Sequence, residues 1–306
     1  MTKNITLSPE IIRAIEMGQP IVALESTVIT HGLPTPRNME LALAMEAKVR
    51  EQGAVPATIA LLEGQIRVGI GEAELEQLVN AENPLKVSRR DFAKAITKKL
   101  DGGTTVAGTM LAAQQAGMRV FATGGIGGVH RERYLDISTD LQALADTPMI
   151  VVCAGAKSIL DLPATLEYLE TMAVPVVGYG TDEFPAFFSR SSGLNVSVRL
   201  DSPEEIAEFA KTHWDLGLKS AILVTNPIPE EDALADAFIN PLITQASQEA
   251  REQGIHGQAL TPFLLARINE LSGGWSLKSN LSLLHNNAAL AAKIANEIRA
   301  GKEKKI

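Results

Sequence analysis

The sequence predicts an α/β fold, a layered domain built on a largely parallel sheet. Three observations carry that prediction. Short apolar, β-branched runs alternate with helical patterns along most of the 306 residues. Ser/Thr-Pro pairs that open helices recur at Ser8-Pro9, Thr35-Pro36 and Ser202-Pro203, with glycine stops at Gly18, Gly53 and Gly217. No stretch is rich enough in Pro, Ser or charge to act as a linker, so one domain over 1–306 is expected.

In chain order, a helix is expected over 8–18, with Ser8 as N-cap and Pro9 at the first helical position. A strand follows at Ile21–Ser26, then a helix over 35–53 capped by Thr35. Ala57–Leu62 opens a pair of strand-like runs that meet at Glu63-Gly64-Gln65, a hairpin signal. "DGGTTVAGTM" (101–110) opens a helix whose first amides are free for an anion. Further strands are expected at Val120–Thr123, Met149–Ala154, Val174–Gly178 and Ala221–Thr225, with a helix over 202–217. A C-terminal helical segment, about 240–300, should pack on or near the site, and "GKEKKI" reads as a solvated tail.

Composition removes several classes of function. No apolar run approaches the ~20 residues of a membrane span, and "MTKNITLSPEII" lacks the layout of a signal peptide. The single cysteine, Cys153, excludes an internal disulfide framework and a multi-cysteine zinc site. A cytoplasmic protein is expected. The formal net charge of −8 argues against nucleic acid as a partner, and 4% aromatics offer no base-stacking platform. A small anion remains a fitting ligand, because a few local cations and amides suffice.

Four stretches can carry chemistry. In "VALESTVITHG" (22–32) an apolar strand runs into Glu25, at the strand end where open α/β sheets bind ligands. Glu25 there is either a solvated strand-end acid or a proton donor with a raised pKa. "FATGGIGGVHRERYLDISTDL" (121–141) is the densest signal, with glycines at 124, 125, 127 and 128. That spacing is not G-x-G-x-x-G, and backbone approach to an anion is a better use for it. His130, Arg131 and Arg133 follow, then Asp136, Ser138 and Asp140. The D-x-S-x-D oxygens suit a hard divalent ion, although Ser138 and Asp140 serve equally as helix caps. "VVCAGAKSILDL" (151–162) places Lys157 at the end of an apolar run among small residues. It is a solvated residue, an anion ligand or, if desolvated, a nucleophilic amine. Cys153 reads as a small core residue. Finally, 261–298 holds Lys278, Asn280, His285, Asn286 and Asn287, whose carboxamides suit amide-like base edges or serve as caps.

Taken together these strings resemble the pseudouridine-5′-phosphate glycosidases, also called the indigoidine synthase A-like family. The resemblance covers nearly the whole chain and rests on "VALEST…THG", "GAVPATIALLEG", "KVSRRD", "GGTTVAGTM", "FATGGIGGVHR", "DISTDL", "VVCAGAKSILDL", "PAFFSR", "NPIPEE", "TPFLLARI" and "SLKSN…NNA". It implies a three-layer α/β/α fold with a parallel or mixed sheet, assembled as a homotrimer. It also implies reversible cleavage of pseudouridine 5′-phosphate to uracil and ribose 5-phosphate with a divalent metal, usually manganese. Lys157 matches the family's nucleophile and Glu25 its proton donor. Asp136 falls on the metal aspartate. Substrate contacts fall on Lys86, Val106, His130, Ser138, Thr139, Asp140 and Asn280. The chain departs from the family pattern in a shorter "ERYL" before Asp136, in Thr139 where Ala is usual, and in Asp182 where lysine is common. A lysine Schiff-base aldolase for phosphosugars needs the same amine, acid and phosphate site. A relaxed-specificity enzyme on another C-ribosyl phosphate in pigment biosynthesis, and a non-catalytic nucleotide sensor, are the other readings.

Overall fold

The computed structural model describes residues 4–131 and 136–303. The N-terminal part contains β1 (Ile5–Leu7), α1 (Pro9–Glu16), β2 (Ile21–Leu24), α2 (Arg37–Glu51), β3 (Val55–Leu62) and β4 (Gln65–Val68). Then come α3 (Glu72–Val79), β5 (Leu85–Val87), α4 (Phe92–Thr97), β6 (Gly102–Thr104), α5 (Val106–Gln115) and β7 (Val120–Ala122). The middle of the chain holds β8 (Val129–His130), α6 (Thr139–Asp146), β9 (Ile150–Cys153), β10 (Leu160–Asp161), α7 (Leu162–Thr171) and β11 (Val176–Tyr179). It closes with β12 (Val198–Leu200), α8 (Pro203–Asp215), β13 (Ile222–Thr225), α9 (Asp236–Glu252), α10 (Leu260–Leu271) and α11 (Trp275–Glu303).

The parallel part of the sheet has the order β3-β2-β7-β9-β13-β11-β12. Its central strands β9 and β13, "IVVC" and "ILVT", are buried throughout. That is why they read as unbroken apolar runs rather than alternating ones. β3 serves two partners in succession. Val55–Thr58 pairs in parallel with β2, and Ile59–Leu62 turns back antiparallel onto β4. The turn uses Glu63 and Gly64 at φ 50 and 73, the left-handed pair that a two-residue hairpin requires. β1, β5 and β6 complete this mixed edge.

Crossover helices set the layers. The chain moves one way from β2 to β3 through α2, and the other way from β7 to β9 and β11 through α6 and α7. α11 lies across β2, β7 and β9 with α2 and α8 packed beside it, and α5, α6 and α7 form the opposite layer. One continuous apolar core runs between the sheet and both layers. No helix among the described residues is long and apolar enough to cross a membrane.

Ser8 and Ser202 cap their helices as expected, accepting from the amides of Ile11 and Glu205. The 35–53 helix differs: it starts at Arg37 with Pro36 in the cap position, and Thr35 makes no cap. Its leading amides bond to the carbonyls of Pro34 and Pro36, so no hydroxyl is needed there. The tail expected at 301–306 is helical through Glu303, as a continuation of α11. Within 101–110 a short strand, β6, precedes the helix, whose cap is Thr105 accepting from the Gly108 amide.

Candidate active site

β2 leads to β3 on one side, while β7 lies against the other side of β2. This is the reversal of strand order at which open α/β sheets place a ligand crevice. Beyond the carboxyl ends of β2, β7 and β9 lies a cleft of ≈ 370 Å³. It is lined by Glu25, Lys86, Val106, His130, Asp136, Ser138, Thr139, Asp140, Lys157 and Asn280. The ten residues that the family resemblance marks for the site therefore face one cavity, although the elements that carry them run from β2 to α11.

Glu25 is the first residue past β2 and is buried. The Thr123 hydroxyl, first past the neighbouring β7, donates to Glu25 Oε1. Burial pushes the Glu25 carboxyl above its usual range, against the opposing pull of the Lys157 charge and the Thr123 hydrogen bond.

Lys157 sits in a turn pinned on several sides. The Ala154 amide bonds to the Gly124 carbonyl at 2.8 Å, and the Lys157 amide to that of Ile126 at 3.1 Å. Gly155 adopts φ +86. Arg131 completes the clamp, donating Nε to the Leu160 carbonyl and Nη2 to that of Ser158 at 3.1 and 2.9 Å. The lysine itself is half-buried. Its neighbour Cys153 is fully buried, which pushes the thiol pKa up to about 12 and removes it as a nucleophile.

Lys86, on β5, has its pKa lowered by burial and by the nearby Lys157 charge, against the pull of Asp140 and Glu25. Its Nζ reaches the Gln258 carbonyl at 3.5 Å, the outer limit of a hydrogen bond. Beside it, Val106 is the first residue of α5, and its amide has no intrahelical acceptor. A cation next to a helix start is a fitting seat for a phosphate.

Two of the three D-x-S-x-D side chains have protein partners. Ser138 caps α6 through the Asp140 amide. Both carboxylate oxygens of Asp140 accept backbone amides, from Ala107 at 3.0 Å and Gly127 at 2.8 Å. No group of three potential His, Cys, Asp or Glu ligands is assembled among the described residues. Of the three carboxylates lining the cleft, Glu25 meets Thr123 and Asp140 meets two amides, leaving Asp136 to face the cavity. A single carboxylate fits a hard divalent ion that keeps water and substrate oxygens as its other ligands. The "ERYL" segment and Arg133 lie outside the described residues.

Packing requires glycine in "GGIGG", and Gly124, Gly125 and Gly127 also line the cleft. A Cβ on Gly125 would lie 2.6 Å from the Phe187 ring, one on Gly127 2.3 Å from Ser138 Oγ, and one on Gly128 2.4 Å from Thr165 Oγ1. The carboxamides of 286 and 287 are structural as well. Asn286 donates to the Pro227 carbonyl, and the buried Asn287 donates to that of Thr123. Only Asn280 of this group faces the cleft. Sequence reasoning missed Phe187, Thr261, Pro262 and Leu265, which form apolar wall. They left a trace only as parts of strings, Phe187 in "PAFFSR" and the other three in "TPFLLARI". His31 also lines the cleft, with Nδ1 2.7 Å from Thr30 Oγ1 and its pKa lowered by burial.

A family model for indigoidine synthase A like proteins matches residues 10–297. A curated relative from Caldanaerobacter subterraneus subsp. tengcongensis, named pseudouridine-5′-phosphate glycosidase, is 55% identical over 97% of this chain and 98% of its own. One of the same name from Geobacillus kaustophilus is 53% identical over 97% and 100%. Among solved structures, the prealnumycin C-glycosynthase AlnA in complex with ribulose 5-phosphate superposes with a TM-score of 0.92. It is 39% identical, over 100% of both chains. An indigoidine synthase A-like protein from Thermotoga maritima gives 0.89 at 37% identity, over 96% of both. The chain thus belongs to the indigoidine synthase A-like family.

Proposed function

We propose that the protein cleaves pseudouridine 5′-phosphate reversibly to uracil and ribose 5-phosphate. The observation that carries this is the pairing, in one cleft, of a buried acid, Glu25, with the amine of Lys157. The curated relatives bear that activity as their name, and AlnA binds a pentose 5-phosphate.

The bond to be broken joins C1′ to uracil C5, so protonating an exocyclic oxygen, as O-glycosidases do, is of no use. Opening the ribose ring provides the electron sink. Glu25 gives its proton to the ring oxygen as the C1′–O bond breaks, and the Lys157 amine forms a bond to C1′, its surplus proton passing to the Glu25 carboxylate. Glu25 returns that proton to uracil C5, which departs with the C–C bonding pair while the nitrogen lone pair forms C1′=N. Water hydrolyses this iminium, freeing Lys157 and the open-chain aldehyde of ribose 5-phosphate. Only an amine adduct can become an iminium, which is why a serine or carboxylate cannot replace Lys157.

The phosphate is held by Lys86, the Val106 amide and Ser138, with Thr139 beside them. His130 and Asp140 bound the sugar, and Asn280 reads the uracil edge. Asp136 would hold a divalent ion, Mn²⁺ for choice, which would supply positive charge and help orient the substrate. A homotrimer working in the cytoplasm belongs to the same reading.

Uracil release from pseudouridine 5′-phosphate, assayed with Mn²⁺, tests the proposal. Wild type should release uracil and become labelled at Lys157 by borohydride, and Lys157→Ala should do neither. EDTA should abolish turnover, and Mn²⁺ should restore it. Label at another residue, or activity in Lys157→Ala, overturns the covalent scheme. Aldol cleavage of a phosphosugar in place of uracil release would favour the aldolase. The likeness to AlnA favours one second reading, a C-ribosyl phosphate enzyme with a larger aglycone, which the same assay detects by absence of uracil turnover.

A further inference from the structure

Thr123 is fully buried and stands directly beyond β7, in register with Glu25 beyond β2. Its amide is used by the Val152 carbonyl, continuing the ladder to β9. Its carbonyl accepts Asn287 Nδ2 at 2.9 Å, and the same nitrogen lies 3.4 Å from the Gly124 carbonyl. Asn287 is itself fully buried, and its Oδ1 accepts Asn226 Nδ2 at 3.1 Å. Backbone and side chain of Thr123 are therefore fixed from three directions, by β9, by α11 and by Glu25.

A hydroxyl has one hydrogen to give, and Glu25 Oε1 is its acceptor here. Both groups are buried, so an unmade donor is costly there, and in the neutral acid the carbonyl oxygen accepts far better than the O–H oxygen, which makes Oε1 the carbonyl oxygen. The acid proton is left to Oε2, the oxygen that Thr123 does not engage. We propose that Thr123 is a positioning residue that confines the transferable proton of Glu25 to Oε2, and that Asn287 holds Thr123 in place for this task. The inference rests on the reading of Glu25 as the acid of ring opening. It also gives the "NNA" string a purpose apart from base recognition.

The charged groups facing Glu25 are Lys157 from the turn after β9, Asp140 from α6 and Lys86 from β5. None of them is altered by a change at Thr123. Since the hydroxyl donates to the charged carboxylate, its removal should raise the pH at which Glu25 ionises. The experiment compares Thr123→Val and Thr123→Ala with Thr123→Ser. Infrared titration follows the protonated carboxyl band of Glu25, assigned by its loss in Glu25→Gln, and uracil release gives kcat and KM across pH. Valine and alanine should move the infrared midpoint up and lower kcat by roughly ten-fold or more with KM little changed. Serine should restore both. A midpoint and kcat unchanged in valine or alanine, or a serine variant no better than valine, would overturn the inference. If wild type released no uracil, the infrared midpoints would still decide the role of Thr123, and only the proposed reaction would fall.

Discussion

Gly155 turns the chain two residues before Lys157 with φ +86, and a Cβ there would lie 2.1 Å from the Pro185 carbonyl oxygen. Both features exclude a side chain, because left-handed backbone strains an L residue and a carbonyl cannot step aside. Gly155→Ala is expected to cost about 1–3 kcal/mol, read by denaturant unfolding, and to lower borohydride labelling of Lys157 by moving its turn. Unchanged labelling would show that the turn tolerates the shift. The string "GAKS" announced a special lysine, but not why glycine precedes it. Pro185 is thirty residues further along the chain, and only folding brings it there.

Among the elements, the start of α5 and the loop after β7 are joined by one side chain from α6. Asp140 accepts the amides of Ala107 and Gly127 through different oxygens. Asn at this position keeps one acceptor oxygen and turns an NH₂ toward an amide donor. Asp140→Asn is therefore predicted to lose about 1.5–3 kcal/mol of stability and to weaken substrate binding, measured as unfolding free energy and KM. Wild-type values for both would remove the clamp from the account. D-x-S-x-D was legible as a functional segment because its oxygens are dense. Whether those oxygens meet an ion or an amide depended on which helix start packs against them. The helix starts themselves were largely legible, since a Ser cap followed by Pro is a local signal. The Arg37 start was not, because its amides are satisfied by the two preceding prolines' carbonyls.

At the scale of the whole molecule, burial of acids couples stability to pH. Glu46, on α2, accepts from Thr58 on β3 and has its pKa raised by burial, the Thr58 hydrogen bond and Arg50 acting the other way. A raised acid contributes stability that is complete below the ordinary carboxylate range and is lost as pH climbs through the raised value. Glu46→Gln keeps an acceptor for Thr58 and cannot ionise. Its Tm should therefore fall less than that of wild type as pH rises from about 4.5 toward neutrality, by differential scanning calorimetry. Parallel curves would show that Glu46 ionises without cost. Glu25, with its own raised pKa, acts in the same direction in both proteins, so the difference isolates Glu46.

By itself the sequence determined the alternation of strands and helices, the Glu63-Gly64 hairpin, and the polar residues that meet in the cleft, though not its apolar wall. Each of these is a matter of local periodicity, turn chemistry or a contiguous string. Only the tertiary structure decided what those residues touch. Thr123 reaches Glu25 because β7 is inserted beside β2, Asn287 reaches Thr123 because α11 crosses the central strands, and Asp140 meets amides from two other elements. Hydrogen-bond partners follow from which strands are neighbours, and strand order is set by burial and crossover handedness summed over the entire chain rather than by any stretch within it.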